Sequence, residues 1–204
     1  MPGMFTVGAT RGLELPELVH RAESLAIAMR FELSSSPEIG RLLAVLVSER
    51  PNGRFAEIGS GCGVGSAWIA SAVGPEATFV TVDADEERAG AVSRLFADQP
   101  QVRVLPGDWH ELLPSEAPFD LLFFGGGSWK HGDVEAESEA VLDLVAPGGL
   151  VVIDDLTPES RWPKEWRSQP DAVRQFWLSE PRLRGAEVMT TSQTAAIVAT
   201  KNTC

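Results

Sequence analysis

The 204 residues suit one domain, expected to span 1–204 and long enough to bury a full core. With 17 Lys and Arg against 29 Asp and Glu the formal charge is −12, which repels an extended phosphate backbone and excludes nucleic acid as the natural partner. No apolar run reaches the ~18 residues of a membrane span, the N-terminus lacks the order of a signal peptide, and two cysteines, Cys62 and Cys204, make no disulfide framework; a cytoplasmic protein without a membrane partner is expected.

Met1 to Gly12 carries glycine and little periodicity, and reads as a mobile arm or a dimer contact. From Leu18, Val19, Ala22, Leu25, Ala26 and Met29 recur at helical spacing. Ser34 to Glu38 then holds two helix starts, Ser35 with Glu38 as a capping box or Ser36 before Pro37. That second helix runs to about Arg50 and would lay Ile39, Leu42, Leu43, Leu46 and Val47 on a sheet, so residues 1–50 form an arm and covering helices. Arg54 to Ile58 is a short strand, glycine follows at 59, 61, 63 and 65, and Ala67 to Ala70 begin a helix. Glycine serves where the chain takes positive φ or a ligand touches backbone, and a helix start offers N–H groups. A nucleotide-like guest is implied. The next strand, Thr78 to Val82, ends in Asp83, placed to accept hydrogen bonds from ribose hydroxyls.

Asp85 caps a helix whose buried face is Ala89, Val92, Leu95 and Phe96. Val102 to Leu105 is a third strand, and Gly107-Asp108-Trp109 turns at its end. There an acid could meet an adenine amino group and an indole could cover the ring; ordinary core is the other reading of Trp109. Phe119 to Phe124 is an unbroken apolar run, as in central parallel strands, followed by the loop from Gly125 to His131. A helix from about Val134 to Val145 closes at Pro147-Gly148-Gly149. Strand five, Leu150 to Ile153, ends in Asp154-Asp155. Leu156 to Pro170, with Trp162 and Trp166, has no clear period and reads as a lid or a substrate wall. A helix from Asp171 to Leu178 and strands Ala186 to Met189 and Ala195 to Thr200 complete the chain. Alternating strands and helices predict an α/β, doubly wound sheet of about seven strands with an antiparallel closing hairpin.

Neither frame of the dinucleotide fingerprint G-x-G-x-x-G survives, because its third glycine falls on Val64 or on Ser66. An acid two residues before GxGxG instead resembles motif I of the S-adenosylmethionine-dependent methyltransferases. That donor has no phosphate and carries positive sulfonium and ammonium groups, which suits Glu57. The order of AEIGSGCGVGSA, VTVDAD, LPGDWHELLP, FDLLFF, LVAPGGLVVIDDL and IVATK is similar to the small O-methyltransferases related to the catechol and caffeoyl-coenzyme A enzymes. The resemblance implies a Rossmann-like class I methyltransferase. By it Glu57, Gly59, Ser60, Gly61, Gly63 and Ser66 line the methionine part, Asp83 and Ala84 hold the ribose, and Asp108 with Trp109 flanks adenine. The serine that the family often has after motif I is replaced in register by Gly65.

The same resemblance implies a divalent cation, Mg²⁺, held by an aspartate after strand four and an acidic pair after strand five. Here the pair is Asp154-Asp155, but Gly125 stands where the first aspartate belongs, so weak binding at most is expected, with His131 or Asp133 as substitutes. In-line methyl transfer needs donor and acceptor aligned and a base for the acceptor hydroxyl. Trp129-Lys130 resembles the family's Trp-Lys dipeptide, which makes Lys130 the first candidate base and His131 the second. The acceptor expected is a small hydroxylated, catechol-like molecule, and bacterial relatives make a homodimer plausible. Two rivals stay open: a cofactor-binding protein without turnover, which the Gly125 substitution motivates, and a nicotinamide oxidoreductase.

Overall fold

A computed structural model describes residues 14–125 and 132–203. The N-terminal arm and the loop containing Trp129, Lys130 and His131 lie outside the described residues. Helices α1 (Glu17–Ala28) and α2 (Pro37–Ser48) precede β1 (Arg54–Ile58), α3 (Val64–Ala70), β2 (Thr78–Asp83), α4 (Glu86–Leu95), β3 (Val102–Pro106) and the one-turn α5 (Trp109–Leu112). Then come β4 (Phe119–Phe124), α6 (Val134–Asp143), β5 (Val145–Leu156), α7 (Ala172–Ser179), β6 (Leu183–Met189) and β7 (Ala195–Lys201).

The seven strands form one sheet in the order β3-β2-β1-β4-β5-β7-β6. The first five run parallel, while β7 is antiparallel to both β5 and β6. This is the doubly wound sheet with its closing hairpin. Alternation along the strands sends Ala56, Ile58, Val80, Val82, Leu122, Phe124, Val151 and Ile153 to the cluster shared with α6 and α7. It sends Phe55, Phe79, Leu121, Phe123 and Val152 to the cluster shared with α1 to α4. Both faces are therefore covered, which is why the inner strands read as continuous apolar runs. Between α6 and α7, buried Trp177 donates its indole N–H to Ser138 Oγ at 3.0 Å.

Local signals explain the boundaries. Of the two possible starts for α2, Ser36 is the cap: its hydroxyl accepts from the Ile39 N–H at 3.3 Å, with Pro37 in the first turn. Asp85, Asp133 and Asp171 cap α4, α6 and α7 in the same way. Asp133, considered above as a substitute metal ligand, holds the Ala136 N–H at 3.1 Å. Helix α1 ends in a Schellman turn, with Phe31 N–H on Ala26 O and Arg30 N–H on Ile27 O, and Arg30 takes φ 53° there.

Strand five departs from expectation at both of its ends. Strand β5 begins at Val145 and absorbs Pro147-Gly148-Gly149, with Gly148 at φ 75° and the register against β4 shifting between Phe119 and Leu121. Asp154 and Asp155 consequently lie inside the strand, at the register shift between Ile153 and Leu156 on the β7 side, rather than beyond its end. A bulge of this kind re-aims side chains at a strand end.

Candidate active site

The order reverses between β1 and β4, and ligands in such sheets bind beyond the carboxyl ends of the strands at that point. The turn after β1 takes positive φ at Gly59 (87°), Gly61 (54°) and Gly63 (82°). A Cβ at Gly61 would come within 2.7 Å of the Phe31 ring, so both backbone and space require glycine there. Its hydrogen bonds are largely internal. Gly59 and Ser60 donate to Val82 O, Gly63 donates to Ser60 O, and Gly61 donates to Asp83 Oδ2 at 2.8 Å. Three of these amides tie the turn to the end of β2, and the fourth closes the turn on itself.

Glu57 is 1% exposed. Its Oε2 accepts the Thr81 hydroxyl at 2.7 Å and the Ser66 hydroxyl. Burial lifts its pKa from 4.5 to about 7; the Ser66 and Thr81 hydroxyls pull it down and Asp83 adds a smaller push. Ser66 is fully buried and spends its hydroxyl on Glu57, so the pair forms an internal bond rather than an open ligand wall. A Cβ at Gly65 would lie 2.6 Å from Glu57 Oε1 and 3.0 Å from Ser35 Oγ. That crowding explains the missing serine: the hydroxyl near this point comes from the start of α2.

Asp83, 6% exposed, accepts from Gly61 N–H, from Asp85 N–H at 2.9 Å and from Arg88 Nη2 at 2.9 Å. Arg88 lies 5.5 Å from the Phe31 ring centroid and also pairs with Asp85. Ala84 beside it is exposed. Phe31 and Arg88, which sequence reading did not single out, and Ser35, read there only as a possible helix start, thus close this corner; helical phase places Arg88 near Asp83 but says nothing of Phe31. Ser60 is 5% exposed, and its buried hydroxyl has no hydrogen-bond partner among the described residues. A buried hydroxyl of this kind can be met by a water, an ion or a polar ligand atom.

Asp108 caps α5 by accepting the His110 N–H, and its Oδ1 also meets His110 Nδ1 at 2.9 Å. The His110 amide, then its ring, hold the Asp108 carboxyl below the usual range. Trp109 stacks on His110 at 3.7 Å between ring centroids and stands edge-on to Phe124 at 5.9 Å. It is half-buried against the core, a position between the two readings of its role.

Asp155 takes φ 61° and is exposed, and Asp154 beside it is half-buried. Among the described residues no three His, Cys, Asp or Glu side chains gather to hold a metal ion. The described donor set does not amount to a Mg²⁺ site. Beyond Asp155, a cavity of about 350 Å³ is lined by Asp155, Leu156, Thr157, Trp162, Trp166 and Arg174, among others. The stretch expected to form a substrate wall does line a pocket. No described helix is long and apolar enough to cross a membrane.

A methyltransferase domain model matches residues 56–156, which run from β1 through the Asp154-Asp155 bulge. A curated Mycobacterium avium protein that carries an O-methyltransferase name is 24% identical over 170 residues, 80% of this chain and 68% of its own. In structure the chain is similar to an O-methyltransferase from Bacillus cereus solved with S-adenosylhomocysteine (TM-score 0.76, 19% identity, 94% of each chain). It is similar also to TomG from Streptomyces achromogenes, an O-methyltransferase of tomaymycin synthesis solved with S-adenosylmethionine (TM-score 0.75, 21% identity, 94% of this chain and 92% of that one). At these identities the two structures speak to the fold, and they share it. Sheet order, glycine turn and sequence match agree: residues 56–156 form a methyltransferase domain, in a chain similar in sequence and fold to O-methyltransferases.

Proposed function

We propose that the chain methylates a hydroxyl of a small, catechol-like acceptor. The observation that carries this reading is the position of the cavity. It opens at the carboxyl end of β5, the same sheet edge on which the glycine turn and Asp83 lie. The residues fit the donor: the orphaned Ser60 hydroxyl would take a polar atom of its methionine part, beside Gly59, Gly61 and Gly63. Glu57, tied to Ser66, would act from behind the turn as a negative or neutral group facing positive charge. Asp83, steadied by Arg88 and next to Ala84, would take the ribose, and Asp108 with Trp109 would border adenine.

When bound, S-adenosylmethionine supplies a methyl group on a positive sulfur, open to in-line attack by an oxygen. The chain's part is to hold the acceptor oxygen on that line and to keep water away, with Trp162 and Trp166 as walls. Lys130 or His131 would receive the hydroxyl proton. Gly125 follows β4 directly, and the described residues supply only Asp154 and Asp155 as nearby acidic ligands, so no step is assigned to Mg²⁺.

Purified protein with labelled S-adenosylmethionine and a panel of catechols should release S-adenosylhomocysteine and a methylated arene. Lys130→Ala should slow turnover more than His131→Ala. Uptake of S-adenosylhomocysteine without transfer to any hydroxylated acceptor would overturn the enzymatic reading and favour a binding protein.

A further inference from the structure

The stretch that brings Trp162 and Trp166 to the cavity runs between β5 and α7 and belongs to no strand. Its backbone bonds, such as Trp162 N–H to Glu159 O and Trp166 N–H to Pro163 O, close local turns. What sets such a stretch against the sheet has to come largely from side chains. Arg174 is placed to do this. Asp171 caps α7 by accepting the Arg174 N–H at 3.0 Å through Oδ1, and its Oδ2 takes Arg174 Nη1 at 2.5 Å.

With the guanidinium set there, Nε and Nη2 reach the Glu187 carboxylate at 2.8 and 2.7 Å, a two-pronged, charge-assisted bond to β6. Nη2 also donates to Thr157 O at 2.9 Å, the same oxygen that accepts the Trp162 indole N–H at 2.8 Å. The guanidinium carbon then lies 5.2 Å from the Trp162 ring centroid. One side chain, 12% exposed, thus joins sheet, helix and wall. Lysine could not take its place, because an ammonium cannot present a planar fork to Glu187 while lying over an indole.

We propose that Arg174 is a positioning residue for methyl transfer, which fixes the Trp162 ring in the wall of the acceptor cavity by fastening it to Glu187 on β6. The proposal rests on the methyltransferase reading for its kinetic consequence, but not for the fastening itself. A wall that shifts lets the acceptor oxygen leave the line of attack, and a misplacement of about 1 Å is enough to cost about 100-fold. The donor side is spared. Its residues, from Glu57 to Trp109, sit on β1 to α5, across β4 from β6.

The test compares the full chain with Arg174→Gln, Arg174→Lys and Glu187→Gln, and with Arg174→Gln and Glu187→Gln each placed in a Trp162→Phe background. Three quantities are read: turnover of labelled S-adenosylmethionine with the catechol that the parent methylates fastest, S-adenosylhomocysteine affinity by calorimetry, and acrylamide quenching of tryptophan fluorescence. Arg174→Gln should lower kcat about 10- to 100-fold and leave S-adenosylhomocysteine affinity within about 2-fold of the parent. Arg174→Lys should recover little of the loss, since charge alone does not hold the ring. In the Trp162→Phe background Arg174→Gln should cost no more than about 2- to 3-fold, because both changes remove one contact. Acrylamide should quench more strongly in Arg174→Gln and Glu187→Gln, and that increment should vanish once Trp162 is replaced. Where Arg174→Gln does not fold, Glu187→Gln carries the same comparisons from the edge of the sheet. Parent-like kcat and quenching overturn the proposal, as does an undiminished loss in the Trp162→Phe background. A fall in S-adenosylhomocysteine affinity as large as the fall in kcat overturns it too, as the mark of a merely structural role. A parent that binds S-adenosylhomocysteine and methylates no catechol counts against the enzymatic reading, and quenching alone then decides the fastening.

Discussion

Glu57→Gln weighs the buried acid beneath the glycine turn. Burial lifts the Glu57 pKa from 4.5 to about 7, so the unfolded chain gives up this proton at lower pH than the folded chain does. Stability is therefore whole below pH 4.5 and is lost as the pH rises through about 7. At about 1.4 kcal/mol per pH unit, the gap from 4.5 to about 7 is worth roughly 3 kcal/mol once the folded carboxyl has ionised. Glutamine keeps the shape, cannot ionise, and leaves an amide oxygen for the Ser66 and Thr81 hydroxyls. Its stability relative to the parent should therefore rise by roughly 2 kcal/mol between about pH 5 and pH 8, on top of a constant loss of about 1 kcal/mol for the weaker acceptor. Urea unfolding followed by tryptophan fluorescence across that range measures the difference directly. A difference that stays flat with pH would show that Glu57 titrates as an ordinary carboxyl, and the argument from burial would fail.

Gly61→Ala adds a Cβ 2.7 Å from the Phe31 ring at φ 54°, so it should cost about 1–2 kcal/mol of stability and abolish S-adenosylhomocysteine binding in calorimetry; unchanged affinity would remove the turn from the cofactor site. Arg30→Gly relieves a left-handed arginine at the end of α1 and should raise Tm by about 2–4 °C. A fall in Tm would mean that the Arg30 side chain contributes more than its backbone costs. Gly125→Asp places a carboxylate at the family's third ligand position, with its Cβ a tight 3.1 Å from the Phe123 ring. It should create a chelator-sensitive Mg²⁺ stabilisation larger than any in the parent, and a variant as indifferent to Mg²⁺ as the parent would show that Asp154 and Asp155 do not face position 125.

The sheet was legible because its inner strands are buried on both faces, which leaves runs such as FDLLFF that few other structures need. The caps at Asp85 and, as one of two readings, Ser36 were legible because these residues act within three residues of themselves; Asp133, read as a substitute ligand, caps α6 instead. Strand β5 was not, since Pro147-Gly148-Gly149 carries the residues of a turn. What overrides them is the pairing of Val145 with Phe119 on a neighbouring strand, a partner 26 residues away in sequence (145 − 119). The candidate site divides along the same line. Glycine spacing and Asp83 announce themselves locally, whereas the Phe31 ring over Gly61, and Ser35 in place of a side chain at 65, depend on how α1 and α2 fold back over the turn.

Glu57 and Asp83 look equivalent in the sequence, each an acid at the end of a strand beside the same turn, yet their surroundings separate them. Asp83 receives a guanidinium and two backbone amides, so its charge is answered within the protein and its carboxyl is held in one orientation. Among the described residues Glu57 receives two hydroxyls and no cation, in a place where an unanswered charge is expensive. A rigid, compensated acid suits hydrogen bonds to neutral ribose hydroxyls. An uncompensated one suits a ligand that brings its own positive charge, because the carboxylate form becomes favourable only when that charge arrives. The division matches a donor that is neutral at its sugar and positive at its methionine end, and the match comes from the contacts around the two acids rather than from their spacing.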